Sequence, residues 1–247
     1  TYNGNLLFHG CIPFTEDGDF MEVTIAGKTN HGAGLMRQLD QELREVYFNP
    51  RCELDKADAA NLMWYLWLGP DSPLFGKDKM TTFERLFIAD KSTHKEHTVP
   101  YYKLIKDKDI CIKIIRDFDL DPSKGIILNG HVPVKIKDGE SPIKGEGKLI
   151  VIDGGISKAY QKTTGIAGYT FIFNSWFMAL SEHEPYHPLQ PDGTQEFNNP
   201  NIVTTHTLPA RMLIIDTDIG KVLQSQIDDL QQLNAEFRKG TIKEVYP

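Results

Sequence analysis

The chain predicts a mixed α and β fold of the α+β class. Short apolar runs bounded by Gly and Pro recur along it, amphipathic stretches at helical spacing lie between them, and 40% of its 247 residues are hydrophobic, enough to bury a sizeable core. The same alternation also fits an α/β arrangement, and no shift in composition marks a domain boundary.

Residues 5–9 form an apolar run that Gly10-Cys11-Ile12-Pro13 turns into a loop. Residues 19–26 alternate loosely as a strand after the turn Glu16-Asp17-Gly18. Leu35, Leu39, Leu43, Val46 and Tyr47 share one face of a helix over 34–48, and 57–68 reads as a second, more apolar helix stopped at Gly69-Pro70. Its Trp64, Tyr65 and Trp67 are expected in the core. Turn formers make 71–79 a loop, and helical spacing returns over 101–118. Ile126-Ile127-Leu128 and residues 148–153 are buried-type strands, and 168–183 and 202–216 read as long β segments. Pro-rich 185–200 is expected to be a surface excursion, and 219–237 is a closing amphipathic helix. No internal repeat or low-complexity tract occurs.

Composition narrows function. Lys and Arg total 27 against 34 Asp and Glu, a net charge of −7, so there is no basic footprint for a nucleic-acid partner. An anionic substrate must be met locally, by a metal or a lysine cluster. Cys11, Cys52 and Cys111 are odd in number and far apart, which fits neither a disulfide framework nor a cysteine zinc site. The expectation is a reducing, cytoplasmic setting. No apolar run reaches 18 residues, so no membrane partner is expected. The first residues carry no initiator Met and run at once into a strand, so the chain reads as part of something longer.

Two histidines share one context. His9 ends an apolar strand before Gly10, and His131 follows another strand and Gly130. Each alone is most simply a hydrogen-bonded turn residue. As a pair they suggest more, because neutral imidazole is the commonest metal ligand and a two-metal hydrolase needs ligands from separate strands.

Several strings resemble class III fructose-1,6-bisphosphatases of the calcineurin-like metallophosphoesterase superfamily. They are Asn5-Leu6-Leu7-Phe8-His9-Gly10-Cys11-Ile12-Pro13 and Asn129-Gly130-His131-Val132-Pro133-Val134-Lys135, which resemble the last two metal motifs of that superfamily. Leu62-Met63-Trp64-Tyr65-Leu66-Trp67, the run 72–85, the run 151–161 and Thr163-Thr164-Gly165-Ile166-Ala167-Gly168-Tyr169-Thr170 extend the likeness over most of 3–175. The resemblance implies a calcineurin-like sandwich of mixed β-sheets flanked by helices. It implies metal-dependent hydrolysis of fructose 1,6-bisphosphate to fructose 6-phosphate and phosphate, a step of gluconeogenesis. Two divalent cations, manganese in that family, would polarise the phosphoryl oxygens and generate the attacking hydroxide. His9 and His131 would be ligands of one ion.

The superfamily's Asp-x-His, Gly-Asp-x-x-Asp and Gly-Asn-His-Asp/Glu motifs do not occur here. Residues 1–247 are therefore expected to be the carboxyl-terminal portion of such an enzyme, with the upstream ligands on an amino-terminal portion of the same protein. Pro133 stands where the superfamily commonly has a second histidine, and proline cannot ligate.

For the substrate's phosphates the candidates are Lys135 and Lys158 with Gly154 and Gly155, whose Gly-rich turn after a strand can present backbone N–H groups to an anion. A plain tight turn accounts for the glycines equally well. Lys77, Lys79, Arg85 and Lys144 are further cations that could reach a distal phosphate, and each singly reads as solvated surface. His94 and His97 read as exposed turn residues ahead of acid or ligand roles, and Cys11 has no nearby base for nucleophilic work. Hydrolysis of another phosphomonoester is the alternative enzyme. The alternative of another class is an inactive folding or oligomerisation segment, with a homo-oligomer as a further expected partner.

Overall fold

The computed structural model describes residues 1–48, 56–155, 157–165, 168–184 and 201–242. The expected excursion at 185–200 lies outside the described residues, as does Cys52. In chain order the elements are β1 (Leu6–Phe8), β2 (Val23–Ile25), β3 (Lys28–Asn30), α1 (Gly32–Phe48), α2 (Lys56–Leu68), α3 (Thr82–Phe87), α4 (Tyr101–Leu104) and α5 (Lys108–Asp117). They continue with β4 (Ile127–Asn129), β5 (Ile143–Lys144), β6 (Leu149–Val151), α6 (Lys158–Thr164), β7 (Gly168–Phe173), β8 (Phe177–His183), β9 (Asn201–Thr207) and α7 (Asp218–Lys239). This is an α+β arrangement.

The strands carrying the two histidine loops are adjacent. One sheet has the order β1-β4-β6-β5, with β1, β4 and β6 parallel and β5 antiparallel. Leu6, Ile127 and Leu149 share a rung, as do Phe8, Asn129 and Val151. Those rungs face Tyr101, Ile105, Cys111, Ile114 and Ile115 of the α4–α5 region. The intervening residues Ile126, Leu128 and Ile150 face Met178 and Leu180 of β8, with Tyr169, Phe171 and Phe173 of β7 packed alongside. β4 and β6 are thus covered on both sides, which is why they read as continuous apolar runs with no alternation. β7, β8 and β9 form a separate antiparallel sheet, so two sheets meet across that second core.

Several expected elements divide. The segment 168–183 is a hairpin, because the Asn174 side chain accepts the N–H groups of Trp176 and Phe177 at 2.8 and 2.9 Å and closes a turn within the apolar run. The 101–118 helix is two helices, with Asp107 capping α5 through the Asp109 N–H at 2.8 Å. The 202–216 segment keeps strand geometry to Thr207 and then turns, ending in a short 3₁₀ segment at Ile214–Asp216. β3 is added to the 19–26 region by a turn at Ala26 and Gly27, both at positive φ (49° and 74°).

α1 begins on a borrowed cap: the Asp117 carboxylate at the end of α5 accepts the Ala33 N–H at 2.6 Å. Leu35 and Leu39 of α1 pack with Leu66 of α2 and Ile25. The expectation that Trp64, Tyr65 and Trp67 are core residues is corrected, since Trp64 and Trp67 are 58% and 62% exposed and Tyr65 is half-buried. α2 carries apolar residues on every side, with Asp58 and Asn61 among them, and among the described residues α1 covers the stripe through Leu62, Tyr65 and Leu66. α7 is tied to the amino terminus, where the Asn3 N–H meets Asp218 Oδ2 at 2.6 Å and the Asp218 N–H meets Asn3 Oδ1 at 3.0 Å.

Candidate functional site

His9 follows β1 and His131 follows β4, and since these strands are parallel neighbours both histidines emerge at the same carboxyl edge of the sheet. Asn129 holds the two loops together. It is buried, and its side-chain amide lies 3.2, 3.1 and 2.7 Å from the carbonyl oxygens of Phe8, His9 and Gly10. The Gly130 N–H adds a bond to the His9 carbonyl at 3.1 Å.

His131 sits at φ +70°, and the Val132 N–H bonds to the Gly130 carbonyl across it at 2.9 Å. That i to i+2 closure at positive φ is the strained form of a three-residue turn, costly for a side chain with a Cβ and concentrated at functional sites. Its effect is to bring the ring onto His9. His131 Nδ1 lies 3.3 Å from His9 Nε2, with the ring centroids 5.1 Å apart and nearly perpendicular. Two imidazole nitrogens bound to one ion at about 2.0–2.1 Å each stand roughly 3–4 Å apart. The pair therefore fits two positions of a metal's coordination shell. Among the described residues no group of three or more His, Cys, Asp and Glu could hold an ion, so the pair could supply only part of a donor set.

The remaining expected site residues lie nearby or are already engaged. The Asp153 carbonyl accepts the Val134 N–H at 2.9 Å, which sets the turn bearing Gly154 and Gly155 beside the His131 loop. Both glycines are buried, and the Gly155 N–H is spent on Asp153 Oδ1 at 2.9 Å. Lys135 is exposed, with its backbone N–H on Glu140 at 3.1 Å. Lys158 opens α6, and its side chain lies outside the described part of the structure.

Lys77 is paired with Glu96 at 2.7 Å, Arg85 lies 3.8 Å from the same carboxylate, and Lys144 is paired with Glu140. The Lys77 hydrogen bond, helped by the Thr81 N–H, holds the Glu96 carboxyl down at about 2. His97 is bound to Asp78 at 2.9 Å and His94 to the Ile88 carbonyl at 2.8 Å, so both are turn residues tied locally. Burial pushes the Cys11 thiol up to about 12, with Asp71 adding to the rise and a Tyr102 hydrogen bond opposing it, so Cys11 is a buried neutral thiol.

Turn formers mark 71–79 as a loop, but residue spacing gave no sign of what its 72–76 part touches. Its Phe75 carbonyl lies 3.0 Å from His131 Nε2, and its Pro73 carbonyl accepts the Cys11 N–H at 2.7 Å. The one signal available was the likeness of the 72–85 string to class III enzymes, which says that the loop is characteristic and not what it touches.

The comparisons agree with that likeness. The family model described as Firmicute fructose-1,6-bisphosphatase matches residues 1–239. Relatives described as fructose-1,6-bisphosphatase class 3 from Clostridium botulinum strains Kyoto and Loch Maree are 49% and 50% identical over 246 residues. The one from Clostridium tetani is 48% identical over 245 residues. Each alignment covers 98% of this chain but only 36% or 37% of the relative, so the chain spans little more than a third of their length. No solved structure matches the chain.

Proposed function

This chain belongs to the Firmicute fructose-1,6-bisphosphatase family, and from that premise we propose that its protein hydrolyses fructose 1,6-bisphosphate to fructose 6-phosphate and inorganic phosphate, as in gluconeogenesis. The observation that carries the reading is the facing pair His9 Nε2 and His131 Nδ1 at 3.3 Å, on loops from adjacent parallel strands. These two nitrogens would hold one divalent cation, which the class resemblance implies is manganese. When bound, a pair of such cations supplies charge stabilisation for the phosphoryl group and lowers the pKa of attacking water.

The chain's own residues do the positioning. Asn129 and the Gly130 N–H fix the His9 backbone, and the strained turn at His131 aims its ring across the gap. Two donors do not complete a two-metal centre, and among the described residues no third joins them, so in this proposal the further ligands come from an amino-terminal portion that would complete a calcineurin-like sandwich. Lys135 and the turn at Gly154, beside the His131 loop, would meet a phosphate of the substrate, while the Gly155 N–H is already taken by Asp153. The cytoplasm is the setting in which this chemistry would operate.

The test is phosphate release by the full-length protein from fructose 1,6-bisphosphate with added manganese. Turnover dependent on the metal is expected. A protein that hydrolyses other phosphomonoesters and leaves this one intact would replace the substrate, and no metal-dependent hydrolysis at all would remove the reading.

A further inference from the structure

The loop at 72–76 makes a set of contacts that neither the fold nor the metal pair requires of it singly. Ser72 is fully buried, and its hydroxyl donates to the Leu66 carbonyl at 2.7 Å, fastening the loop to the end of α2. The Ser72 carbonyl takes the N–H groups of Phe75 and Gly76 at 3.2 and 3.1 Å, which curls the loop tightly. Two carbonyls then point to the two histidine loops, Pro73 to the Cys11 N–H and Phe75 to His131 Nε2.

A carbonyl oxygen can only accept. At 3.0 Å from it, His131 Nε2 must carry the ring proton, and in the neutral imidazole Nδ1 is then a bare lone pair. That lone pair is the one facing His9 Nε2. Metal-bound histidines characteristically donate their other ring N–H to a carbonyl or carboxylate, and that partner decides which nitrogen is offered to the ion.

We propose that the 72–76 loop orients the metal-binding pair: the Phe75 carbonyl holds His131 in its Nε2–H form with Nδ1 presented to the cation, and Ser72 is the positioning residue that holds that carbonyl in place. The proposal rests on the reading of His9 and His131 as metal ligands. It also accounts for the strained turn at His131, since a ring carried at φ +70° reaches the Phe75 carbonyl and His9 at once.

The experiment uses the full-length protein labelled with ¹⁵N-histidine and free of metal. Two-bond ¹H–¹⁵N ring correlations report which nitrogen is protonated, and the His131→Ala variant identifies the signal. Wild type is expected to show His131 as a single Nε2–H form. Ser72→Ala is expected to mix the two forms and to weaken manganese binding about tenfold, at the lower end of the range for lost partners of a ligating histidine. Ser72→Thr, which keeps the hydroxyl, should restore the wild-type form.

A role in stability alone would lower the melting temperature of Ser72→Ala without moving the ring proton, and that result would overturn the proposal. So would a wild-type His131 protonated on Nδ1 or in both forms, an outcome readable even if Ser72→Ala fails to fold. The ligand reading fails separately, if His131→Ala binds manganese as wild type does. Weakened binding in His131→Ala together with an Nδ1–H ring in wild type would sink the loop's role and leave the ligands standing.

Discussion

Gly10→Ala tests the join between the His9 loop and the 72–76 loop. Gly10 has no need of left-handed backbone, and what it supplies is room: a Cβ there would stand 1.8 Å from the Pro73 carbonyl oxygen and 2.9 Å from its carbon. Since real Cβ contacts essentially never fall under 3.0 Å, the loops must part by about 1.2 Å. The Cys11 N–H to Pro73 bond, now 2.7 Å, would then exceed hydrogen-bond reach, leaving a buried donor unpaired. Overpacking costs about 1–3 kcal/mol and an orphaned buried N–H about 1–3 kcal/mol. Together these make about 2–6 kcal/mol, and at roughly 2–4 °C per kcal/mol for a chain this size the melting temperature should fall by about 4–24 °C. Differential scanning calorimetry measures it, with Gly34→Ala as control, because a Cβ there meets only Asn30 side-chain atoms, at 3.2 Å or more, and the site is helical. That control should stay within about 1 kcal/mol of wild type. A Gly10→Ala protein melting within about 2 °C of wild type would show that the loops are not held in contact as described.

Three further outcomes follow from the same structure. Ile127→Ala removes a fully buried side chain from the central strand and should cost about 2–5 kcal/mol in urea unfolding, with an unchanged m-value. Glu96 is held at about 2 against an ordinary 4.5, so the stability it adds is fully present above pH 4.5 and lost as pH falls toward 2. Melting curves of wild type and Glu96→Gln should accordingly differ above pH 4.5 and converge near pH 2, and parallel curves would contradict the ion pair with Lys77. Residues 1–247 alone, given manganese and fructose 1,6-bisphosphate, should release no appreciable phosphate, whereas robust turnover would show that two histidines are not half a site.

Much of this was legible in the residues. Apolar runs of three placed β1, β4 and β6, and the 3.6 period placed α1 and α7, because burial on one stripe or on both faces of a strand leaves a direct mark on sequence. The facing histidines were legible too, each being the polar residue at the end of such a run. The hairpin within 168–183 was hidden because Asn174 closes it by its own side chain inside an otherwise apolar stretch. Trp64 and Trp67 misled because a helix with apolar residues on every side does not say which side is covered. The Phe75 carbonyl could not be read at all, since every residue has a carbonyl and only the tertiary path aims one at His131.

The central claim is that His131 is a metal ligand and not a turn residue. Its most direct test is the manganese dissociation constant of the full-length protein carrying His131→Ala, with His183→Ala, whose ring bonds to Thr170 at the end of β8, as the control. The ligand reading predicts affinity weaker by at least about 10–100-fold for His131→Ala, with an unchanged metal-free melting temperature and a wild-type control. Manganese binding equal to wild type in His131→Ala would contradict it.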